Sequence, residues 1–445
     1  MRTFLPEDLS IKNWAQIETY FEDLNTRAID SVEDLKKWMQ DRSELEAVLE
    51  ENMAWRYIKM NIDTTDPELQ KSFQFFVQNI SPNIAPYAHG LNTKLMNSKH
   101  LKDLDAAYYF IYLRDIKNAI YLYREENIPL FTELTNKAQK FGEISAQMTV
   151  QVDPNGNEPL KPFDGGEDLL DKCIACFDQI RPYYGDCIRQ MKVMGHLDLV
   201  SRKGKAPGGF MYPLYETGVP FIYMNAVGLL SDAVTMVHEG GHAIHSFYTK
   251  DMELTFFKST PSEVAELASM SMELISMEHW NVFFKDEDSC KRARKEQLQG
   301  VLATLPWVAM VDEFQHWLYE NSDHTHQERH DKWATISKRY GTGLVDWTSY
   351  ENYQKTAWQR QLHIYEVPFY YIEYGMAQLG AIAIWRNYKQ NPEKALDDYD
   401  RALKLGYTKT ISEIYETAGI KFDFSAAYVK DLANFVKCEL ELLDN

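Results

Sequence analysis

The amino-acid sequence predicts a mainly α-helical protein with one small β region. Over most of the 445 residues, apolar side chains recur at intervals of three and four, which is the periodicity of amphipathic helices. Only residues 201–228 combine turn-forming glycines with a run of strand-forming residues. With 45% apolar residues the chain can bury a large core, so wholesale disorder is excluded.

The composition also limits the classes of partner and location. The chain has 66 acidic residues against 47 lysines and arginines, a net charge of −19, which disfavours binding to nucleic acid. The longest apolar runs are shorter than the roughly 18 to 20 residues that a membrane-spanning helix needs. The sequence begins with neither a signal-peptide core nor a basic targeting segment, so we expect a cytoplasmic protein that does not bind membranes.

The five cysteines suggest reduced thiols, and Cys173 and Cys176 fit core packing in a predicted helix.

The helical pattern is interrupted once near the middle of the chain. Between Val152 and Phe163, proline, glycine and asparagine residues predict a loop. We therefore expect an amino-terminal helical region over residues 1–150 and a second, catalytic region over residues 151–445. In the second region, Val219 to Asn225 is the best predicted strand, and a short hairpin or small sheet is expected around it.

The chemistry begins in the helix predicted after this β region. Ser231 or Asp232 can cap the helix, and His238, Glu239 and His242 within it form an H-E-x-x-H motif. Four residues of helix turn the direction by about 400°, so the two histidines lie one turn apart and can bind one metal ion. Glu239 is then close enough to act as general base on a water bound to that metal. The spacing predicts a catalytic zinc site.

Two adjacent glycines inside this helix, Gly240 and Gly241, need an explanation. They cost on the order of 2 kcal/mol relative to alanine. We therefore expect either that a neighbouring element approaches the helix backbone closely at this point or that the helix is tightly packed.

A catalytic zinc ion takes three protein ligands, so a third ligand is needed. The metzincin pattern is excluded, because Tyr248 stands where its third histidine would be. A carboxylate from a second helix remains, and Glu263, Glu266 and Glu273 are the candidates. Glu266 follows His242 by enough chain for the next helix to run back beside the first. Glu273, two turns further along the same face, could orient a ligand histidine.

These residues resemble the thimet-type oligopeptidases of peptidase family M3, and within them the oligoendopeptidase F branch. The segment EVAELAS, residues 263–269, matches the family's ligand helix, which implies His238, His242 and Glu266 as the zinc ligands. Residues 204–247 are similar to its glycine-containing loop, strand and active-site helix. The resemblance implies a zincin-like, all-helical oligopeptidase with a small hairpin or sheet beside the H-E-x-x-H helix and a deep substrate channel.

Residues 363–381 resemble the histidine- and tyrosine-containing segment of the same family, which faces the zinc across the cleft. There, a phenol or imidazole proton would stabilise an oxyanion, worth about 2.7 to 4 kcal/mol per donor. We expect His363, Tyr371 and Tyr374 to serve in this way. Tyr370 is the alternative if the register differs by one residue.

An extended peptide could bind along the predicted strand beside the active-site helix. Main-chain hydrogen bonds at the edge of that strand would give affinity with little sequence demand. We therefore predict that Tyr223 and Asn225 of the strand bind substrate. We predict the same of Gly208 and Gly209, in a loop that suits a lid.

The expected function is hydrolysis of internal bonds of short peptides with a Zn²⁺ cofactor, by a monomer or homodimer. Two alternatives stay open: a peptide-binding pseudoenzyme of the same fold and a zinc carboxypeptidase. Family members are generally longer than this chain, and an internal segment is expected to be missing near residues 150–153.

Overall fold

The structure, a computed structural model, describes residues 2–148 and 159–444. The predicted boundary at residues 150 and 151 and the segment expected to be missing near residues 150–153 lie outside the described residues. Within the described part, helices dominate and one sheet is present. The predicted fold class, mainly α with a small sheet beside the H-E-x-x-H helix, is confirmed.

The helices before the sheet are α1 Ala15–Thr26, α2 Val32–Ile62, α3 Pro67–Asn79, α4 Ser81–Met96, α5 Phe110–Leu122, α6 Asn127–Ala146, α7 Gly165–Ile180 and α8 Pro182–Met194. The strands are β1 Leu197–Val200, β2 Phe210–Tyr212 and β3 Phe221–Ala226. The helices that follow are α9 Leu230–Thr249, α10 Thr255–Lys258, α11 Ser262–Ser276, α12 Glu287–Glu320, α13 His326–Tyr340, α14 Glu351–Thr356, α15 His363–Glu366, α16 Tyr371–Gln390, α17 Pro392–Leu403, α18 Ile411–Thr417 and α19 Ala426–Asp444. Short 3₁₀ helices cover Leu101–Asp103, Met277–Val282 and Ala357–Arg360.

Two large groups of buried apolar residues hold these helices together. One group comes mainly from α1 to α5 and includes Leu254 and Phe257 from the other half of the chain. The other joins α7, α8 and α9 to α11, α16, α17 and α19. Cys173 and Cys176 are buried in the second group, in agreement with their predicted packing role. No helix in the described parts of the chain is both long enough and apolar enough to cross a bilayer.

The sheet has β3 in the middle, which differs from the prediction for this strand. β3 pairs in parallel with β1 on one side and antiparallel with β2 on the other, with Met211 opposite Ile222. The expectation that Val219 to Asn225 offers an edge to a peptide is therefore wrong. β2 is the edge strand that follows the glycine loop.

A turn and a side-chain cap set where α9 begins. Gly228 has φ +102°, a conformation that other residues rarely adopt. The Asp232 carboxylate accepts hydrogen bonds from the backbone N–H groups of Val227, Gly228 and Leu229 at 2.8 to 2.9 Å. Asp232 thus caps the helix from its third position, whereas Ser231 does not serve as the cap.

The close approach expected at the two glycines of α9 is present. A Cβ atom on Gly241 would lie 2.7 Å from Cα of Ser269 and 2.9 Å from the carbonyl oxygen of Ala268, both in α11. A Cβ on Gly240 would lie 2.6 Å from the ring of Phe177 in α7. The helix that carries both histidines therefore touches the backbone of the helix that carries Glu266.

We expect Gly241→Ala to destabilise the protein, because its new methyl group meets backbone atoms that cannot rotate away. Overpacking of this kind costs about 1 to 3 kcal/mol, which exceeds the gain in helix propensity. Gly300→Ala in α12 is the matched control, since nothing lies within 4 Å of its added Cβ. Thermal unfolding should show a lower midpoint for Gly241→Ala and an equal or higher midpoint for Gly300→Ala. A Gly241→Ala protein as stable as the wild type would contradict the close approach.

Candidate metal centre

His238, His242 and Glu266 bring three potential ligand atoms together between α9 and α11. Glu266 Oε2 lies 3.4 Å from His238 Nε2 and 3.6 Å from His242 Nε2. Zinc bonds of about 2.0 to 2.1 Å in tetrahedral geometry require ligand atoms about 3.3 to 3.4 Å apart. The donor set of two imidazoles and one carboxylate and its spacing therefore fit a zinc ion. Among the residues that the structure describes, this is the only group of three that could hold a metal.

Hydrogen bonds from neighbouring side chains orient these candidate ligands. Glu273 Oε1 lies 2.7 Å from Nδ1 of His238, so it can accept the Nδ1 proton and leave the Nε2 lone pair directed at the centre. Gln297 in α12 donates to the other Glu273 oxygen at 2.8 Å. On Glu266, the Tyr370 hydroxyl donates to Oε1 at 2.5 Å, and the Ser269 hydroxyl donates to Oε2 at 3.2 Å.

The electrostatic environment gives two of the three candidate ligands, Glu266 and His242, the protonation states that bind metals. At His238, burial is outweighed by Glu266 and Glu273, which raise its pKa. Burial alone would raise the pKa of Glu266, but His242 and His238 outweigh it and hold the pKa at about 2. Burial also lowers the pKa of His242 to about 4. At neutral pH the chain thus presents an ionised carboxylate and a neutral imidazole, the forms that coordinate zinc.

Glu239 has the features of a general base. It is 5% exposed, and its Oε2 atom forms no hydrogen bond within the described structure. Burial raises the pKa of Glu239 to about 7, with His238 opposing the shift and Glu266 adding to it. A carboxylate with a pKa near neutrality can both accept and return a proton.

A second wall of the site comes from α15 and α16. His363 Nε2 lies 3.0 Å from the hydroxyl oxygen of Tyr374. Burial, followed by the charge of Glu266, raises the pKa of Tyr374 above its ordinary value, so the phenol stays protonated. Tyr371 instead packs against the aromatic core cluster around Trp333. Of the two tyrosines predicted as oxyanion donors, Tyr374 is the one that forms the hydrogen bond with His363.

Comparison with known proteins identifies the family of this chain. A family model described as "Peptidase family M3" matches residues 177–434, and a second one, described as "Peptidase M3 N-terminal domain", matches residues 4–123. The chain belongs to peptidase family M3. Within the family it lies in the oligoendopeptidase F branch, and the predicted membership is confirmed.

Curated relatives show the extent of the likeness. The chain is 24% identical over 283 residues to an oligoendopeptidase F homolog of Borreliella burgdorferi, covering 62% of this chain and 47% of that protein. It is 26% identical over 229 residues to the oligopeptidase PepF of Bacillus subtilis, covering 50% of this chain and 33% of that protein. The matched part therefore spans half or less of these relatives' length.

A solved structure extends the likeness to the fold. PZ peptidase A, solved with an inhibitor, is 20% identical to this chain and has a TM-score of 0.86. That alignment covers 98% of each chain. At this level of identity the match shows that the two proteins share a fold.

The structure corrects one of the predicted substrate-binding residues. Tyr223 is fully buried, and its single hydroxyl proton lies within hydrogen-bond reach of the carbonyl oxygens of both Asn61 and Ala206. Because β3 is also paired on both sides, no part of Tyr223 is available to a peptide, and that prediction is wrong. The Asn225 amide donates to the carbonyl oxygens of Ala206 and Gly208, so it holds the glycine loop. Binding of substrate by Asn225 stays a prediction.

The glycine loop itself leads directly into the edge strand β2. Gly208 has φ +101°, which favours glycine, and a Cβ on Gly209 would lie 3.1 Å from Thr235 of α9. These glycines therefore shape a turn against the active-site helix. Substrate binding by Gly208 and Gly209 also stays a prediction.

Several residues around this M3 site could not be found by motif. Gln297 lies in a different helix with no recognisable spacing to Glu273, and Tyr370 was only the alternative to its neighbour Tyr371. Ser269 offers the one local signal, since a serine three residues after a buried glutamate lies on the same helical face.

We expect Glu273→Ala to weaken zinc binding by about 10- to 100-fold, because it removes the acceptor that orients His238. Zinc affinity is measured by competition with a chromophoric chelator, without reference to activity. Glu393→Ala in α17 is the control, because Glu393 is exposed and is not one of the candidate ligands. Wild-type affinity in the Glu273→Ala protein would contradict the orienting role.

Proposed function

We propose that this chain is a zinc-dependent endopeptidase that hydrolyses internal bonds of short peptides. The observation that carries the proposal is the position of Glu239. This buried carboxylate, with an unpartnered Oε2, follows His238 directly in the helix that also supplies His242. Membership of peptidase family M3 supports the same conclusion.

His238, His242 and Glu266 would hold the zinc ion. Bound zinc supplies a Lewis acid that polarises the scissile carbonyl and makes water more acidic. Glu239 accepts a proton from the attacking water at Oε2 and transfers it to the leaving amine. Tyr374 donates a hydrogen bond to the oxyanion that develops on the carbonyl oxygen.

The free edge of β2 is the proposed binding site for the peptide backbone. Met211 lies in this strand, and its backbone interacts with the carboxylate of Glu239. Within the described residues no strand pairs with the outer edge of β2. An extended peptide added there forms main-chain hydrogen bonds that demand little of its sequence. Its backbone then passes close to the proposed base.

Metal analysis combined with product mapping tests this function. The purified protein should contain about one zinc ion per chain, as the single set of three candidate ligands among the described residues implies. Products from a mixed peptide library should show internal cleavage that persists when the carboxyl terminus is amidated. Loss of cleavage on amidation would indicate a carboxypeptidase instead. Zinc binding with peptide affinity but without any hydrolysis would indicate a pseudoenzyme.

A further inference from the structure

Four side chains form a continuous hydrogen-bonded series that ends at the proposed oxyanion donor. We call Trp307, Gln361, His363 and Tyr374 the Trp307 relay. Trp307 Nε1 donates to Gln361 Oε1 at 3.1 Å, and Gln361 Nε2 lies 2.7 Å from His363 Nδ1. His363 Nε2 in turn lies 3.0 Å from the hydroxyl oxygen of Tyr374.

The first member of the relay determines how the amide of Gln361 is oriented. An indole nitrogen only donates, so the group that faces Trp307 must be the amide oxygen of Gln361. The opposite orientation would place the amide NH₂ against the indole N–H, with two donors facing each other. The NH₂ group of Gln361 therefore points to His363 and donates to Nδ1.

The orientation of Gln361 then determines which nitrogen of His363 carries the proton. Burial lowers the pKa of His363, although Glu266 opposes the shift, so the ring is neutral at neutral pH and carries one proton. Because Nδ1 accepts from Gln361, that proton is on Nε2. Nε2–H consequently donates to the oxygen of Tyr374, and the phenol's own proton does not point at the imidazole.

We propose that Trp307 and Gln361 are positioning residues that fix His363 as its Nε2–H tautomer, so that the Tyr374 hydroxyl proton is directed to the substrate oxyanion. Both ring nitrogens of His363 are then engaged within the protein. His363 acts through Tyr374 and does not contact the substrate, which differs from the role implied by the family resemblance. This inference rests on the proposed function, in which Tyr374 is the oxyanion donor.

Gln361→Glu tests the relay with almost no change in side-chain shape. A carboxylate accepts from Trp307 and from His363 Nδ1–H, and its charge also raises the pKa of His363. Above that pKa the neutral imidazole carries its proton on Nδ1, so the tautomer is reversed, and the kinetics are measured there. Nε2 then accepts the Tyr374 proton and withdraws it from the substrate. We expect kcat to fall about 10- to 100-fold while KM changes by less than about threefold. Gln390→Glu, the same change at an exposed position, should leave both constants unchanged.

A double variant shows whether Gln361 acts through the phenol. When Tyr374 is already phenylalanine, Gln361→Glu should lower kcat by less than about a further twofold, because residues in one network are not additive. An equal fold reduction in kcat on adding Gln361→Glu to the wild type and to Tyr374→Phe would mean that Gln361 affects activity by another route. That result would overturn the relay.

Nitrogen-15 NMR of histidine-labelled protein reads the tautomer directly, without turnover. The wild type should show Nε2–H at His363, assigned by the signal lost in His363→Gln, and Gln361→Glu should show Nδ1–H. An Nδ1–H tautomer in the wild type, or the same tautomer in both proteins, would overturn the proposal. If the tautomer reverses as expected but the wild type hydrolyses no peptide, the tautomer assignment stands and the proposed function fails.

Discussion

Glu239→Gln is expected to lower kcat for peptide hydrolysis by about 10²- to 10⁴-fold, the usual contribution of a general base. The amide has nearly the shape of the carboxylate but cannot accept the proton of the attacking water. Zinc content should be unchanged, because Glu239 supplies none of the three potential ligand atoms that converge between α9 and α11. KM should change little, because the lost interaction acts mainly in the transition state.

Hydrolysis of an internally quenched fluorescent peptide measures this effect. Glu393→Gln, purified in parallel, shows whether loss of an exposed carboxylate has any influence on the rate. Equal rates for Glu239→Gln and the wild type would reject Glu239 as the base and, with it, the proposed mechanism. A large loss accompanied by loss of zinc would instead assign Glu239 to metal binding.

Tyr374→Phe should lower kcat by about 10²- to 10³-fold, which is the effect of removing one oxyanion donor. The structure separates this residue from Tyr371, which the sequence could not do. The Tyr374 hydroxyl is in contact with His363 Nε2, whereas the Tyr371 hydroxyl interacts with the side chain of Trp307. Tyr371→Phe should therefore cost less than about tenfold, the loss of one ordinary hydrogen bond.

The two phenylalanine variants serve as controls for each other, since each removes one hydroxyl from the same helix. Steady-state kinetics with one peptide gives kcat and KM for both. A larger reduction in kcat for Tyr371→Phe than for Tyr374→Phe would mean that Tyr371, and not Tyr374, is the oxyanion donor. If Tyr374→Phe raised KM without lowering kcat, the hydroxyl would bind the substrate in its ground state rather than the oxyanion.

The two candidate ligand histidines and the helical fold could be predicted because both depend on local spacing. Residues one helical turn apart lie together whatever the rest of the chain does, so His238 and His242 follow from the sequence alone. The two glycines between them also predicted a close neighbour, and α11 is that neighbour. Glu266 needed a further clue from family resemblance, since three glutamates in one predicted helix were candidates.

The position of β3 within the sheet and the hydrogen bonds around the ligands could not be predicted in this way. β1 has only four residues, and its pairing with β3 is a long-range contact that leaves no periodic signal. Without β1, β3 looks like an edge strand, and this led to the wrong prediction for Tyr223. Gln297 and Tyr370 reach the site from distant parts of the chain, so their partners depend on how separate helices dock.

The contact between α9 and α11 at Gly241 has a consequence for how the protein would take up its metal. Two helices in backbone contact cannot slide without rebuilding the interface, so the three ligand atoms are held at nearly their final separation. Little conformational entropy is then lost when the ion enters, and most of the intrinsic coordination energy remains as affinity. Ligand atoms held in this way would also discriminate among ions, since a cation that requires longer bonds or more ligands would have to force the helices apart.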